Sequence, residues 1–271
     1  MAKRSADSAR FEDSRDYVQS MARGLAVLTA FDRDHVRLTL GEIASRANLS
    51  RAAARRLILT LQHLGYVREA GRSYVLGPRV LELGFGYLGS LNLTDLAQPL
   101  MEDLARQVRQ SSSMAVLDGQ SIVYVLRVPG QRVMSVTLGV GARLPAFCAA
   151  MGRVLLSGLT PAEFDTWLGA CEPRRLTPHT VTEPERLRRI VDDVRNQGYA
   201  YVEQELELGL CSIAVPIRNA EGRVATAINV SMPYQPDVAR HALGTILPPL
   251  QQTAAAIESC LPTGRLVPVT A

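Results

Sequence analysis

TLGEIASRANLSRAAARRL, residues 39–57, decides the architecture of the N-terminal third. Thr39 followed three positions later by Glu42 is the pattern of a capping box, so a short helix is predicted over 40–47, with Leu40, Ile43, Ala44 and Ala47 facing inward. Asn48-Leu49 supplies a tight turn, and Ser50 is an N-cap for a second helix over 51–64. On a helical wheel Ala53, Ala54, Leu57, Leu61 and Leu64 gather on one side of that helix. Arg51, Ala52, Arg55 and Arg56 lie on or toward the other, within its first turn and a half. A basic, small-residue N-terminal end over an apolar base is what a major-groove recognition helix requires, since its first residues must reach base edges while its base packs on the preceding helix. Ala52 between arginines allows close approach and contact with a thymine methyl.

Working outward, VQSMARGLAVLTAF (18–31) places apolar residues at Met21, Leu25, Val27, Leu28 and Phe31, close to helical spacing, and Asp32-Arg33-Asp34 ends the pattern. On the C-terminal side GYVR, EAGR and SYVL (65–76) read as strand, glycine turn, strand. After a helix-turn-helix this hairpin is a wing, with Arg68 and Arg72 near its tip for phosphate or the minor groove. A winged helix-turn-helix is thus predicted over 16–77. Charge agrees. Residues 1–80 hold fourteen Lys and Arg against eight Asp and Glu, net +6, and the remaining 191 hold sixteen against eighteen, net −2. Such asymmetry fits a nucleic-acid-binding part joined to a neutral part.

Hydrophobic residues at 47% and charged residues at 21% are ordinary for a globular chain, and 271 residues fit two domains. No apolar run reaches the length of a membrane span. The first twenty residues carry no signal-peptide core, so 1–15 is expected to be a disordered leader and 262–271 a flexible tail. Cys148, Cys171, Cys211 and Cys260 lack metal-ligand spacing and are expected as free thiols in a reducing cytoplasm, with neither metal nor cofactor. His35, His63, His179 and His241 are scattered, and no G-x-S-x-G, H-E-x-x-H or phosphate-cradling loop is present. No catalytic residue is assigned.

Gly77-Pro78 opens a linker helix over 78–92, apolar around most of its circumference, as a dimer interface demands. Beyond it, helices are predicted over 93–108, 149–159, 161–168, 184–197 and 236–261, the last interrupted near Pro248-Pro249. Strands are predicted over 113–117, 122–128, 133–140, 212–218 and 224–231, with a hairpin at Asp118-Gly119-Gln120. This is an α+β domain over 93–261. Pro145-Ala146-Phe147 leads into a helix starting near Ala149, whose free N–H groups suit a carboxylate. Asn229 and Ser231, two apart, share one face of a strand. Arg143 is the favoured cation for an anionic ligand, and Arg127 the alternative.

The segments QSMARGLAVL (19–28), LGEIA (40–44), LILTLQHLGYV (57–67), GARLPA (141–146), MGRVLL (151–156), ELELGL (205–210), IAVPI (213–217) and AINVS (227–231) resemble IclR-type bacterial regulators. SRAAARR (50–56) and RLPA (143–146) resemble the branch that regulates protocatechuate, p-hydroxybenzoate and β-ketoadipate catabolism. The resemblance covers residues 16–260. It implies a GAF-like effector domain behind the winged helix, dimers often paired into tetramers, and commonly activation through RNA polymerase. It places Ser50 with the arginines on a double-stranded operator. It places Ala150, Met151, Ser212, Asn229 and Ser231 around a small aromatic or dicarboxylic acid, to which Arg143 is added by its position just before the helix terminus. Val202 stands where some relatives carry an acid, and Cys211 where that branch carries arginine. The alternatives are a repressor of the same family with another small-acid effector, and a ligand-independent architectural DNA binder.

Overall fold

The computed structural model describes residues 11–32, 34–84, 93–130 and 139–260. The chain divides into two compact units near residue 90. In the first, α1 (Gln19–Thr29), α2 (Leu40–Arg46) and α3 (Arg51–His63) precede the hairpin β1 (Val67–Ala70) and β2 (Ser73–Leu76). The Thr39–Glu42 capping box forms: the Thr39 N–H donates to Glu42 Oε2 at 2.7 Å and the Glu42 N–H donates to Thr39 Oγ1. Ser50 Oγ accepts from the Ala53 N–H and caps α3. The hairpin turns on Gly71-Arg72, with Gly71 at φ +71°, and Leu38 pairs with Tyr74 to bring the strand edge against the helices. Val27, Phe31, Leu38, Ile43, Ile58 and Val67 form the core.

One packing expectation is corrected. The inward face of α3 is Ala54 and Ile58, with Leu57 and Leu61 partly covered, and Leu64 is exposed. Ile58 follows Ala54 by one helical turn, while the Leu57–Leu61–Leu64 stripe lies to one side of that line. In α1 only Val27 is buried; Met21 and Leu25 are exposed.

Residues 80–84 are helical, and the rest of the expected linker helix lies outside the described residues, as does nearly all of the strand expected over 133–140. The second unit contains α4 (Leu93–Val108), β3 (Ser111–Asp118), β4 (Ser121–Val128), β5 (Arg143–Pro145), α5 (Ala150–Ser157), α6 (Pro161–Gly169), α7 (Pro184–Gln197), β6 (Ala200–Glu203), β7 (Leu210–Arg218), β8 (Val224–Pro233), α8 (Val238–His241) and α9 (Leu247–Cys260). The sheet is antiparallel in the order β5-β4-β3-β8-β7-β6, so the sequence-distant β3 and β8 pair at its centre. β3 and β8 are buried almost throughout because helices cover both faces: α5 packs on one, and α4 and α9 pack against strands and each other. β5 and β6, which were not expected, close the two edges. Both are only three or four residues long, too short for alternation to show.

The break expected at Pro248-Pro249 falls earlier, in a π-helical stretch at Ala242–Ile246. Pro248 and Pro249 follow that stretch directly, at the start of α9.

Candidate functional site: a basic helix face and an enclosed cavity

Ser50, Arg51, Ala52, Arg55 and Arg56 are all exposed at the start of α3, and Arg68 and Arg72 are exposed on the hairpin. None of these arginines has an ion pair among the described residues, which leaves their charge available to phosphate. Their directions differ. Arg56 lies beside the groove between α1 and α3, with Gln19, Arg23 and Thr60. The Arg51 guanidinium lies over Gly41, within 3.2 Å of where a Cβ would stand, so a side chain there would displace it. Arg79, which the sequence reading left unassigned, donates to the Leu64 carbonyl at 2.9 Å and lies over the Tyr66 ring, closing the C-terminus of α3.

In the second unit the face of the sheet beneath α5 lines a narrow cavity of about 40 Å³. Alternation determines which strand residues reach it. Ala227, Asn229 and Ser231 of β8 share one face, as do Ser212 and Ala214 of β7, and Ser212 is directly opposite Ser231. One wall is the N-terminus of α5. Ala149 caps that helix without a side-chain hydrogen bond, and Ala149, Ala150 and Met151 line the cavity, so the first-turn N–H groups are presented as donors. The tight Ala146–Cys148 turn before α5 fits because residue 152 is glycine: a Cβ there would stand 2.1 Å from the Ala146 carbonyl oxygen.

Five of the six expected effector residues, Ala150, Met151, Ser212, Asn229 and Ser231, therefore come together. Arg143 does not. It is half-exposed on the edge strand β5, and its Nη1 donates to Asp118 Oδ2 at 2.6 Å while Nη2 donates to the Asp118 carbonyl. The cavity's cation is Arg127, half-buried and without an ion pair among the described residues. Tyr124 lines the cavity as well, its phenol pushed up to about 12 by burial, and so remains protonated at neutral pH. Tyr124 and Arg127 are three apart, and simple alternation assigns them to opposite faces. A bulge decides otherwise: Ala115 is opposite Tyr124 and Met114 is opposite Leu126, so Val125 is the extra residue and the two side chains share a face.

The polar groups of the floor form a small network. The Asn229 Nδ2 donates to Ser212 Oγ at 2.8 Å and to Ser231 Oγ at 3.0 Å. Val202 and Leu206 add apolar wall. Behind α5, Arg153 and Glu205 form a buried pair: Nη1 to Oε1 at 2.7 Å and Nη2 to Oε2 at 2.8 Å, with Arg153 Nε donating to the Phe147 carbonyl. The Val181 N–H also donates to Glu205 Oε2. This pair ties the helix at one wall of the cavity to the β6–β7 connection that carries Leu206. It was missed because neither residue shows a local pattern.

Among the described residues no cluster of His, Cys, Asp and Glu is arranged to hold a metal, and no helix is long and apolar enough to cross a membrane. Residues 20–71 match the IclR helix-turn-helix domain, and residues 85–259 match the bacterial transcriptional regulator IclR C-terminal domain. The chain belongs to the IclR family. Like the other members, this IclR-family chain is a DNA-binding transcriptional regulator and not an enzyme. It is similar to the Pca regulon regulatory protein of Pseudomonas putida, 43% identical over 82% of this chain and 76% of that protein. It is also similar to the p-hydroxybenzoate hydroxylase transcriptional activator of Acinetobacter baylyi, 36% identical over 89% of this chain and 91% of that one. Among solved structures, an IclR homologue from Microbacterium hydrocarbonoxydans complexed with 4-hydroxybenzoate superposes with a TM-score of 0.80, at 30% identity over 89% of this chain and 98% of that one.

Proposed function

We propose that this IclR-family regulator senses a small aromatic acid in the cavity beneath α5 and activates genes for aromatic-acid catabolism. The observation that carries it is a mostly apolar cavity that combines an uncapped helix N-terminus with an arginine, Arg127, that has no ion pair among the described residues. That is a carboxylate site beside a surface suited to a ring. The likeness to a chain complexed with 4-hydroxybenzoate and to regulators named for the pca genes and p-hydroxybenzoate hydroxylase supports the effector class; the activator among them supports the direction of control. On DNA, Ser50, Arg51, Ala52, Arg55 and Arg56 of α3 address the major groove of the operator, and Arg68 and Arg72 of the hairpin hold its backbone. Val18, Met21 and Leu25 recur at helical spacing on the exposed face of α1 and support self-association of the DNA-binding units. The regulator works in the cytoplasm, where its operator and RNA polymerase are.

Isothermal titration of the full chain with protocatechuate, 4-hydroxybenzoate and β-ketoadipate tests the effector class. At least one acid is expected to bind, with affinity reduced ~10- to 100-fold by Arg127→Gln and unchanged by Arg143→Ala. Equal sensitivity to the two substitutions, or no binding of any acid, defeats the proposal. Footprinting of the neighbouring intergenic DNA is expected to show two half-sites related by a two-fold axis.

A further inference from the structure

Helix α3 ends in a Schellman motif. With Gly65 at φ +84°, the Tyr66 N–H donates to the Leu61 carbonyl at 2.8 Å and the Gly65 N–H to the Gln62 carbonyl at 3.0 Å. The Leu64 carbonyl takes its donor from fifteen residues further on, beyond the whole hairpin: Arg79 Nη1, at 2.9 Å. The same guanidinium lies over the Tyr66 ring, and its Nε donates to Glu82 Oε2 at 3.2 Å, in the helical segment 80–84. The backbone closes this joint as well. The Gly77 N–H donates to the Tyr66 carbonyl at 2.7 Å, and a Cβ on the buried Gly77 would stand 2.3 Å from the Gly65 carbonyl oxygen. The end of α3, the base of the hairpin and the start of segment 80–84 therefore meet with no room to slide.

Arg79 is at the wrong end of α3 to read DNA. The helix has thirteen residues, so at 1.5 Å each its two ends are about 20 Å apart. Its Nη1 and Nε are already in use within the unit, and its charge complements the C-terminal end of the helix dipole. We infer that Arg79 is a positioning residue for operator binding. It fastens α3 to the chain that leads on to the second unit, so that any turn of segment 80–84 is passed to the recognition end. A specific complex needs that end at one angle in the groove, whereas non-specific binding needs only charge near phosphate. The inference rests on the reading of α3 as the recognition helix.

Two measurements on the full chain test it, each with Arg79→Ala and Arg79→Lys. In hydrogen exchange, peptides from the last turn of α3 and from residues 80–84 are expected to exchange ~10-fold faster together in Arg79→Ala. Arg79→Lys keeps the charge without the planar fork and is expected to recover only part of the protection. Fluorescence anisotropy then compares the footprinted operator with a scrambled duplex of equal length. Arg79→Ala is expected to weaken operator binding ~10-fold, to leave the scrambled duplex within about twofold, and to leave the slope of log affinity against log salt unchanged. A slope lower by about one, with both duplexes weakened alike, makes Arg79 a phosphate contact and overturns the inference. Equal weakening at unchanged slope, with loss of helical circular dichroism, means that Arg79 only maintains the fold and overturns it too. Unchanged operator binding, or faster exchange in one of the two segments alone, has the same result. Arg55→Ala separates the two readings. If it too leaves the operator unaffected, the assignment of α3 fails; if it weakens binding and Arg79→Ala does not, only the joint fails.

Discussion

At the scale of single residues, burial sets the chemistry of the four cysteines. Cys148 lines the cavity, and desolvation pushes its thiol up to about 12; Cys171, half-buried, is pushed to about 11. Cys211 is raised for the same first reason. Cys260 is exposed at the end of α9. Because only the thiolate attacks, a raised pKa leaves these three groups unreactive well above neutral pH. Titration with a thiol-disulfide reagent at pH 8 is expected to modify Cys260 alone at first, and all four after denaturation. Rapid reaction of two or more thiols in the native protein would contradict this. The residues that touch the cavity were legible to different degrees. Asn229 and Ser231 follow from two-residue spacing on one strand, whereas Arg127 reaches the cavity only because of the bulge at Val125. Arg143, one residue away from better-placed neighbours in the chain, turns outward to Asp118.

At the scale of elements, α3 joins two jobs on opposite faces. Its buried side rests on Ile58, so Ile58→Ala is expected to destabilise the N-terminal unit by ~2–5 kcal/mol through lost transfer energy and the cavity left behind. Leu64→Ala, at an exposed position, is expected to cost under ~0.5 kcal/mol. Chemical denaturation followed by far-ultraviolet circular dichroism compares them; similar losses would restore Leu64 to the core. Its exposed side carries Arg55, whose replacement by alanine is expected to weaken operator binding. If Arg55 contacts phosphate, the slope of log affinity against log salt falls by about one and weakening is uniform across operator sequences. If it reads a base, the slope holds and discrimination at one position relaxes. The start of α3 was legible because capping chemistry is local: Ser50 needs only its own next three residues. Of the inward face, Ala54, Leu57 and Leu61 were legible from spacing, whereas Ile58 was not, since it lies one residue round the helix from the leucine stripe.

At the scale of the whole molecule, the Arg153–Glu205 pair joins residues 52 apart in sequence and ties α5 to the β6–β7 connection. Removing one partner leaves the other charge buried, so Arg153→Ala is expected to destabilise the effector unit by ~3–5 kcal/mol. Arg153→Met combined with Glu205→Gln is expected to recover part of that loss, because the second change removes the stranded charge. A double-mutant cycle by thermal unfolding measures the coupling. Strictly additive losses would mean the two side chains act separately. The same variants are expected to weaken the effector, since the wall and the connection carrying Leu206 lose their common tie.

The sequence by itself determined the winged helix, its caps and turns, the basic end of α3, and most of the strands and helices of the effector unit. These depend on spacing over a few residues, which backbone geometry converts directly into a face, a cap or a hairpin. Tertiary structure alone decided that β3 lies beside β8, that Val125 bulges, that Arg127 rather than Arg143 enters the cavity, and that Arg79 reaches the end of α3 from beyond the hairpin. Each of these depends on which distant segment arrives as a neighbour, and on which hydrogen-bond partners remain once it has.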